Sequence, residues 1–234
     1  MRDALTLRHS GTLLDGKRVS CHFNLFMQCL LVEVVLSSIK SQQQYFEESF
    51  KNVDQQDLVC VGTEFEECTF VDCNFSSATF ERCNFANCSF TRCQLSLISL
   101  PYTRLFSVSC LECKLVGVDW TRATWSEYHK DFEISFRQCI LNDSSFFGLT
   151  LQALVLDECK VQDVDFREGD FSHAVMTYSD FTHSLFMRTN LQSADFTEAT
   201  QYSINVLENK LQGAKFSKFE AVYLLESLGV ELVD

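Results

Sequence analysis

The chain has 234 residues, 46% of them apolar and 22% charged, with a net charge of −13. The charge is uneven: residues 1–44 carry five Lys/Arg and three Asp/Glu, whereas residues 45–234 carry 14 and 29, a charge of −15. So acidic a surface repels DNA and excludes direct nucleic-acid binding, but it can meet a basic protein surface. The plainer reading is that the acid keeps the chain soluble.

Residues 1–44 show no repeat and are expected to be a separate N-terminal segment or cap. Phe23–Ile39 is apolar but interrupted by Gln28 and Glu33. It is too short and too polar for a membrane span. Lys17 and Arg18 precede it, so a secretory leader must be weighed, although no A-x-A cleavage site follows. Translation from Met27 is a second reading. The expected one is a helix or strand over the first coil that hides an open edge.

From Tyr45 onward a five-residue period governs the chain. It is clearest in Thr63–Phe90, where Phe65, Phe70, Phe75, Phe80, Phe85 and Phe90 are each preceded, two residues earlier, by Thr, Cys or Ala. Five matches neither the helical nor the strand period, so a short-period solenoid is indicated. Between Phe65 and Phe216, 29 of the 30 central positions are apolar, and Gln201 is the exception. Tyr45–Gly62 is an imperfect first turn in which Gln55 breaks the frame. Pro101, the only proline, cannot donate a ladder hydrogen bond and belongs at a corner.

The units Cys73–Asn74–Phe75, Cys83–Asn84–Phe85 and Ala194–Asp195–Phe196 resemble those of the pentapeptide-repeat family, small–Asp/Asn–Leu/Phe–x–x. The resemblance covers roughly Tyr45 to Asp234. It implies an all-β fold: a right-handed quadrilateral β-helix with one unit per side and four per coil. Central and small residues then both point inward, as strand alternation requires, and coils stack at about 4.8 Å. The expected organisation is 1–44 cap, 45–216 β-helix and 217–234 a C-terminal capping helix with a short strand.

Eight of the twelve cysteines occupy the small inward slot: Cys68, Cys73, Cys83, Cys88, Cys93, Cys113, Cys139 and Cys159. Free Cys buries well, and free thiols are expected. Cys110 and Cys113 form a lone CxxC without a second pair, so no metal is expected.

The frame slips near Ser126–Phe132, where eleven residues separate Trp125 from Phe136 and ten would keep register. The minimal reading is a one-residue bulge. The functional reading is a projecting partner-binding loop of Glu127, Tyr128, His129, Lys130 and Asp131. Beyond it, Asp157, Glu158, Asp195 and Glu198 fall on one expected side of the coil. Asp143, Asp163 and Asp180 fall on the next. Asp157, Glu158, Asp163, Asp180, Asp195 and Glu198 are the candidate acidic partner-binding face, against the alternative of a merely solvated surface.

Ser217–Lys218–Phe219–Glu220 fits a capping box, and helical apolar spacing continues to Leu228 before Gly229. Such a helix covers the open end and leaves an apolar flank. Phe219, Val222, Leu224, Leu225 and Leu228 are the candidate dimer interface. With Asn209–Phe216 before it, this ending resembles the tail of the Qnr-type quinolone-resistance proteins and the microcin-immunity proteins. That resemblance implies end-to-end homodimers, acidic mimicry of duplex DNA, and binding to DNA gyrase and topoisomerase IV.

No chemistry is legible. The five histidines have no motif partners, there is no Gly-rich phosphate loop, and a core of Phe and Leu has no substrate cavity. The expectation is a cytoplasmic, non-enzymatic DNA mimic without cofactor, metal or membrane, acting on a topoisomerase. The alternative is a rigid protein-interaction scaffold.

Overall fold

The structure, a computed structural model, describes residues 35–36, 38–125 and 132–230. They belong to one compact unit, Glu33–Asp234. The readings of residues 1–34, of Glu127–Asp131 and of the final strand reach outside the described residues.

The unit is a parallel β-solenoid. Each residue pairs with the one 20 positions on: Gln44–Phe46 with Glu64–Glu66, Ser49–Lys51 with Thr69–Val71, and Val59–Val61 with Thr79–Glu81. A turn falls every fifth residue, so each coil has four sides. The residue at the turn takes the left-handed conformation, as at Glu67, Asp72, Ser77, Arg82, Asn87 and Arg92 with φ between 51° and 60°. This conformation costs an L-residue about 1–2 kcal/mol, and the in-register pairing on either side sustains it. Gly117 is different, because a Cβ there would lie 2.7 Å from Leu97 Cδ2.

The interior is built from stacked columns. On one side Phe50, Phe70 and Phe90 lie nearly parallel, with centroids 4.8 and 4.4 Å apart. On another, Trp120, Phe146, Phe166 and Phe186 step by 5.5, 5.3 and 5.0 Å. Offset stacking of this kind adds about 0.5–1.5 kcal/mol per pair beyond burial.

The small slot does more than make room. The backbone ladder lapses at corners, and the slot side chain bridges the gap. Cys83 N–H donates to Thr103 Oγ1 at 3.1 Å, and that hydroxyl donates to Phe80 O at 2.6 Å. Ser144 joins Val118 N–H to Leu115 O in the same way, and Ser184 joins Val164 N–H to Val161 O. Cysteine can play the part with a weaker donor. Cys93 N–H points at Cys113 Sγ and Cys113 N–H at Cys139 Sγ, at 3.3 and 3.4 Å. The thiols of Cys73, Cys93, Cys113, Cys139 and Cys159 face the carbonyls of Phe50, Phe70, Phe90, Cys110 and Phe136 at 3.3–3.5 Å. All ten described cysteines are buried and free.

Three departures from the expected frame have physical causes. The first is the slip. Ser109 pairs with Ser135, Lys114 with Ile140 and Asp119 with Ser145, a step of 26 residues. Trp125 and Phe136 are therefore consecutive units, and the chain between them holds six extra residues. A one-residue bulge is excluded. One and six share the same phase in a five-residue frame, which is why spacing alone misleads. Where the chain returns, Phe132 turns inward and meets the Trp125 ring edge-on at 5.1 Å.

The second departure is at the two frame-breaking glutamines. Gln55 substitutes for a strand: its Oε1 accepts Ile39 N–H at 2.6 Å and its Nε2 donates to Ile39 O at 3.2 Å. Gln201 is an exposed corner with φ 57°. Tyr202 and Ile204, both 4% exposed, fill the interior there. Phe186 pairs with Ile204, a step shortened to 18.

The third is the C-terminal helix. It amounts to a 3-10 turn, Glu220–Val222, and one α-turn, Tyr223–Glu226. The capping box does not form. Ser217 Oγ instead accepts Glu198 N–H at 2.8 Å and donates to the Glu198 carboxylate at 2.9 Å, continuing the coil-to-coil bonding.

The corner bridges can be tested at Thr103, which is fully buried. Thr103→Val keeps the shape and strands two backbone groups, so a loss of about 1–3 kcal/mol is expected in urea unfolding. Thr103→Ser should retain most of the stability. Equal behaviour of the two variants would refute the bridging role.

Candidate functional site

Pairing at 20-residue steps brings the acidic candidates onto two adjoining sides. Asp157 and Glu158 stand two coils below Thr197 and Glu198, beside Asp195. Asp143, Asp163 and Asp180 line the adjoining side. The structure also shows what engages them. Asp157 pairs with Arg137 at 2.5 Å and accepts from Thr177. Glu158 accepts from Gln138 at 2.7 Å, and Asp163 lies 3.5 Å from His183. Asp195 meets Lys215 at 3.0 Å and Glu198 meets Ser217.

Asp and Asn before a central residue have a further task that sequence spacing did not reveal. Asp165, Asp170, Asp180 and Asp195 each accept the backbone N–H two residues on, at 3.0 Å. This Asx turn fixes the path into the next corner. The readable signal was the recurrent Asp-x-Ser/Thr, as in Asp180–Phe181–Thr182.

These bonds shift the carboxyls. Thr197 holds Asp195 below the ordinary 3.8, against desolvation and with help from Lys215. At Asp180 burial works upward, and bonds from Thr182 and Gln162 overcome it, leaving the net shift downward. Asp165 and Asp170 follow the same balance, with Arg167 and Ser172 as the leading donors.

At the C-terminal end, Phe219 is 86% exposed, and Val222, Leu225 and Leu228 are also exposed. Leu224 is not part of that flank, because it is half-buried against the core. Four of the five candidate interface residues therefore share the surface and one turns inward.

Among the described residues no three His, Cys, Asp or Glu side chains cluster to hold a metal, and no helix is long and apolar enough to cross a membrane. His173 and His183 both face solvent. A gap between Phe85, Leu95, Leu105 and Trp120 in the interior measures about 30 Å³, room for one water at most. A shallow groove of about 630 Å³ crosses Asn87, Ser89, Ser107, Ser109, Glu133 and Gln152 near the insertion.

The pentapeptide repeat region model matches residues 63–133 and 132–196, more than half of the chain. The chain belongs to the pentapeptide-repeat family. No curated protein sequence matches it. Among solved structures, a trypsin-treated variant of QnrB1, a plasmid-mediated fluoroquinolone resistance protein, superposes with a TM-score of 0.56 at 22% identity, covering 82% of this chain and 91% of that one. Full-length QnrB1 gives a TM-score of 0.47 at 21% identity, with 81% and 92% coverage. The first likeness carries the fold of this pentapeptide-repeat protein.

Asp165, Asp170, Asp180 and Asp195 bind protons less readily in the folded than in the unfolded chain. Their contribution is therefore present above the unfolded carboxyl range and lost as pH falls through it. The thermal midpoint should drop between about pH 5 and about pH 3, and Asp180→Asn should soften the drop. A midpoint independent of pH across that window would contradict the assignment.

Proposed function

We propose that this pentapeptide-repeat protein is a non-enzymatic, acidic DNA mimic that binds DNA gyrase or topoisomerase IV and modulates it or protects it from quinolones or peptide toxins. The observation that carries the reading is the charge of −15 on residues 45–234, held on a rigid repeat whose carboxylates recur at coil steps. Duplex DNA presents a comparable regular line of negative charge. The fold shared with the QnrB1 variant supports the same reading. The proposal includes a cytoplasmic setting, a homodimer through the C-terminal end and no cofactor, metal or direct nucleic-acid contact.

The ion pairs favour a second reading. Arg137, Lys215 and His183 lie against Asp157, Asp195 and Asp163, so the acid is partly spent on joining coils, as in a rigid scaffold. Salt and competition separate the two. A DNA mimic releases gyrase at high salt and competes with duplex DNA, and a scaffold does neither.

Supercoiling by purified gyrase, with and without a quinolone, should respond to a titration of this protein. Rescue of drug-inhibited supercoiling supports protection, and inhibition without drug supports mimicry alone. No effect in either arm would overturn the topoisomerase reading.

The dimer is tested at residues that the core does not need. Phe219→Asp with Leu228→Asp should convert the dimer to a monomer in light scattering. A wild-type chain already monomeric, or a double variant still dimeric, would refute the C-terminal interface.

A further inference from the structure

Seven arginines are described, and five of them hold a carboxylate: Arg82 with Glu81, Arg92 with Asp72, Arg137 with Asp157, Arg167 with Asp165 and Arg188 with Glu168. The two with no carboxylate partner among the described residues are Arg104 and Arg122. They occur together. Arg82, Tyr102 and Arg122 occupy successive coils of one corner column, where Arg82 N–H donates to Pro101 O and Tyr102 N–H donates to Arg122 O. The Arg82 guanidinium lies 5.6 Å from the centre of the Tyr102 ring. Arg104 and Phe106 project from the outer side of the strand Arg104–Leu111, which follows that corner. Tyr102 is 66% exposed and Phe106 is 43% exposed.

We propose that Arg82, Tyr102, Arg104, Phe106 and Arg122 form a docking surface for a short acidic segment of a partner protein, one that also carries an aromatic or branched apolar side chain. The Arg104 and Arg122 guanidinium groups, without a carboxylate partner among the described residues, present planar forks that fit carboxylates, and exposed Tyr and Phe supply apolar contact at little entropic cost. Arg and Tyr are the residue types that anchor interfaces. The surroundings limit the ligand. Glu64, Glu66 and Glu67 lie two coils below on the same side, so an extended polyanion is repelled beyond the band. A short acidic peptide segment that ends within the band is not, which favours it over a nucleic acid. This surface is separate from the carboxylates invoked for topoisomerase binding and does not depend on that reading.

The test uses the full chain and two fluorescein-labelled probes in anisotropy titrations: a hexapeptide of sequence Glu-Asp-Trp-Glu-Asp-Leu and a ten-nucleotide oligothymidylate. Saturable peptide binding is expected. It should weaken at least about tenfold in Arg104→Glu plus Arg122→Glu, the scale of losing close charge pairs, and separately in Tyr102→Ala. All three positions point to solvent, so the far-ultraviolet spectrum and thermal midpoint should stay unchanged in both variants. No saturable peptide binding by the wild type would overturn the proposal, as would equal binding by folded variants. Oligonucleotide binding in place of peptide binding would also overturn it and make the band a stacking platform for single strands.

Discussion

Parallel pairing between one residue and the residue a full coil later is the constraint on which the structure depends. Because the coil closes at 20 residues, Phe70 finds Phe90 above it and Phe50 below it. The same closure puts Cys113 over Cys93 and Arg92 over Asp72. Core stacking, corner bonds and surface ion pairs are thus three readings of one register. A unit buries little by itself and gains its stability from neighbours on either side, as expected of a quasi-one-dimensional fold.

The regular part of this register was legible because nearly every central residue is apolar and most slot residues are small. Those demands repeat often enough to stand out from a chain that is nearly half apolar. The irregular parts were hidden because the period specifies phase and not count. Trp125 to Phe136 looked like two units plus one residue, and is one unit plus six. Gln55 looked like a blemish because its amide carries hydrogen bonds that a hydrophobicity pattern cannot register. Ser217 and Glu220 had the spacing of a helix cap, but the coil below offered Ser217 a stronger claim in Glu198. The candidate site followed the same division. Which carboxylates share a side was readable from the period. What each one bonds to was not, since Asp195 answers to Thr197 and Lys215 together.

The tension in the surface is between charge and cohesion. A chain with so large an acid excess resists compaction, and cross-coil pairs relieve that resistance locally. Exposed pairs contribute at most about 1 kcal/mol each, so they cannot be what holds the coils together. Their effect is on the field the surface projects, which is weakened where an Arg or Lys sits one coil away and left whole elsewhere. Arg104 and Arg122, which hold no carboxylate among the described residues, dilute the acid locally beside the exposed Tyr102 and Phe106.

Gln55 also bears on how the first described coil is held. Stacked parallel strands have no intrinsic length, and an open rung invites an identical chain to add itself, the route to fibres. On the side held by Gln55, the backbone of Ile39 is already bonded at both its N–H and its C=O by one side chain. At that residue another strand finds the one N–H donor already taken. A single amide, placed where the interior calls for an apolar side chain, thus stands in for a rung of backbone pairing at Ile39.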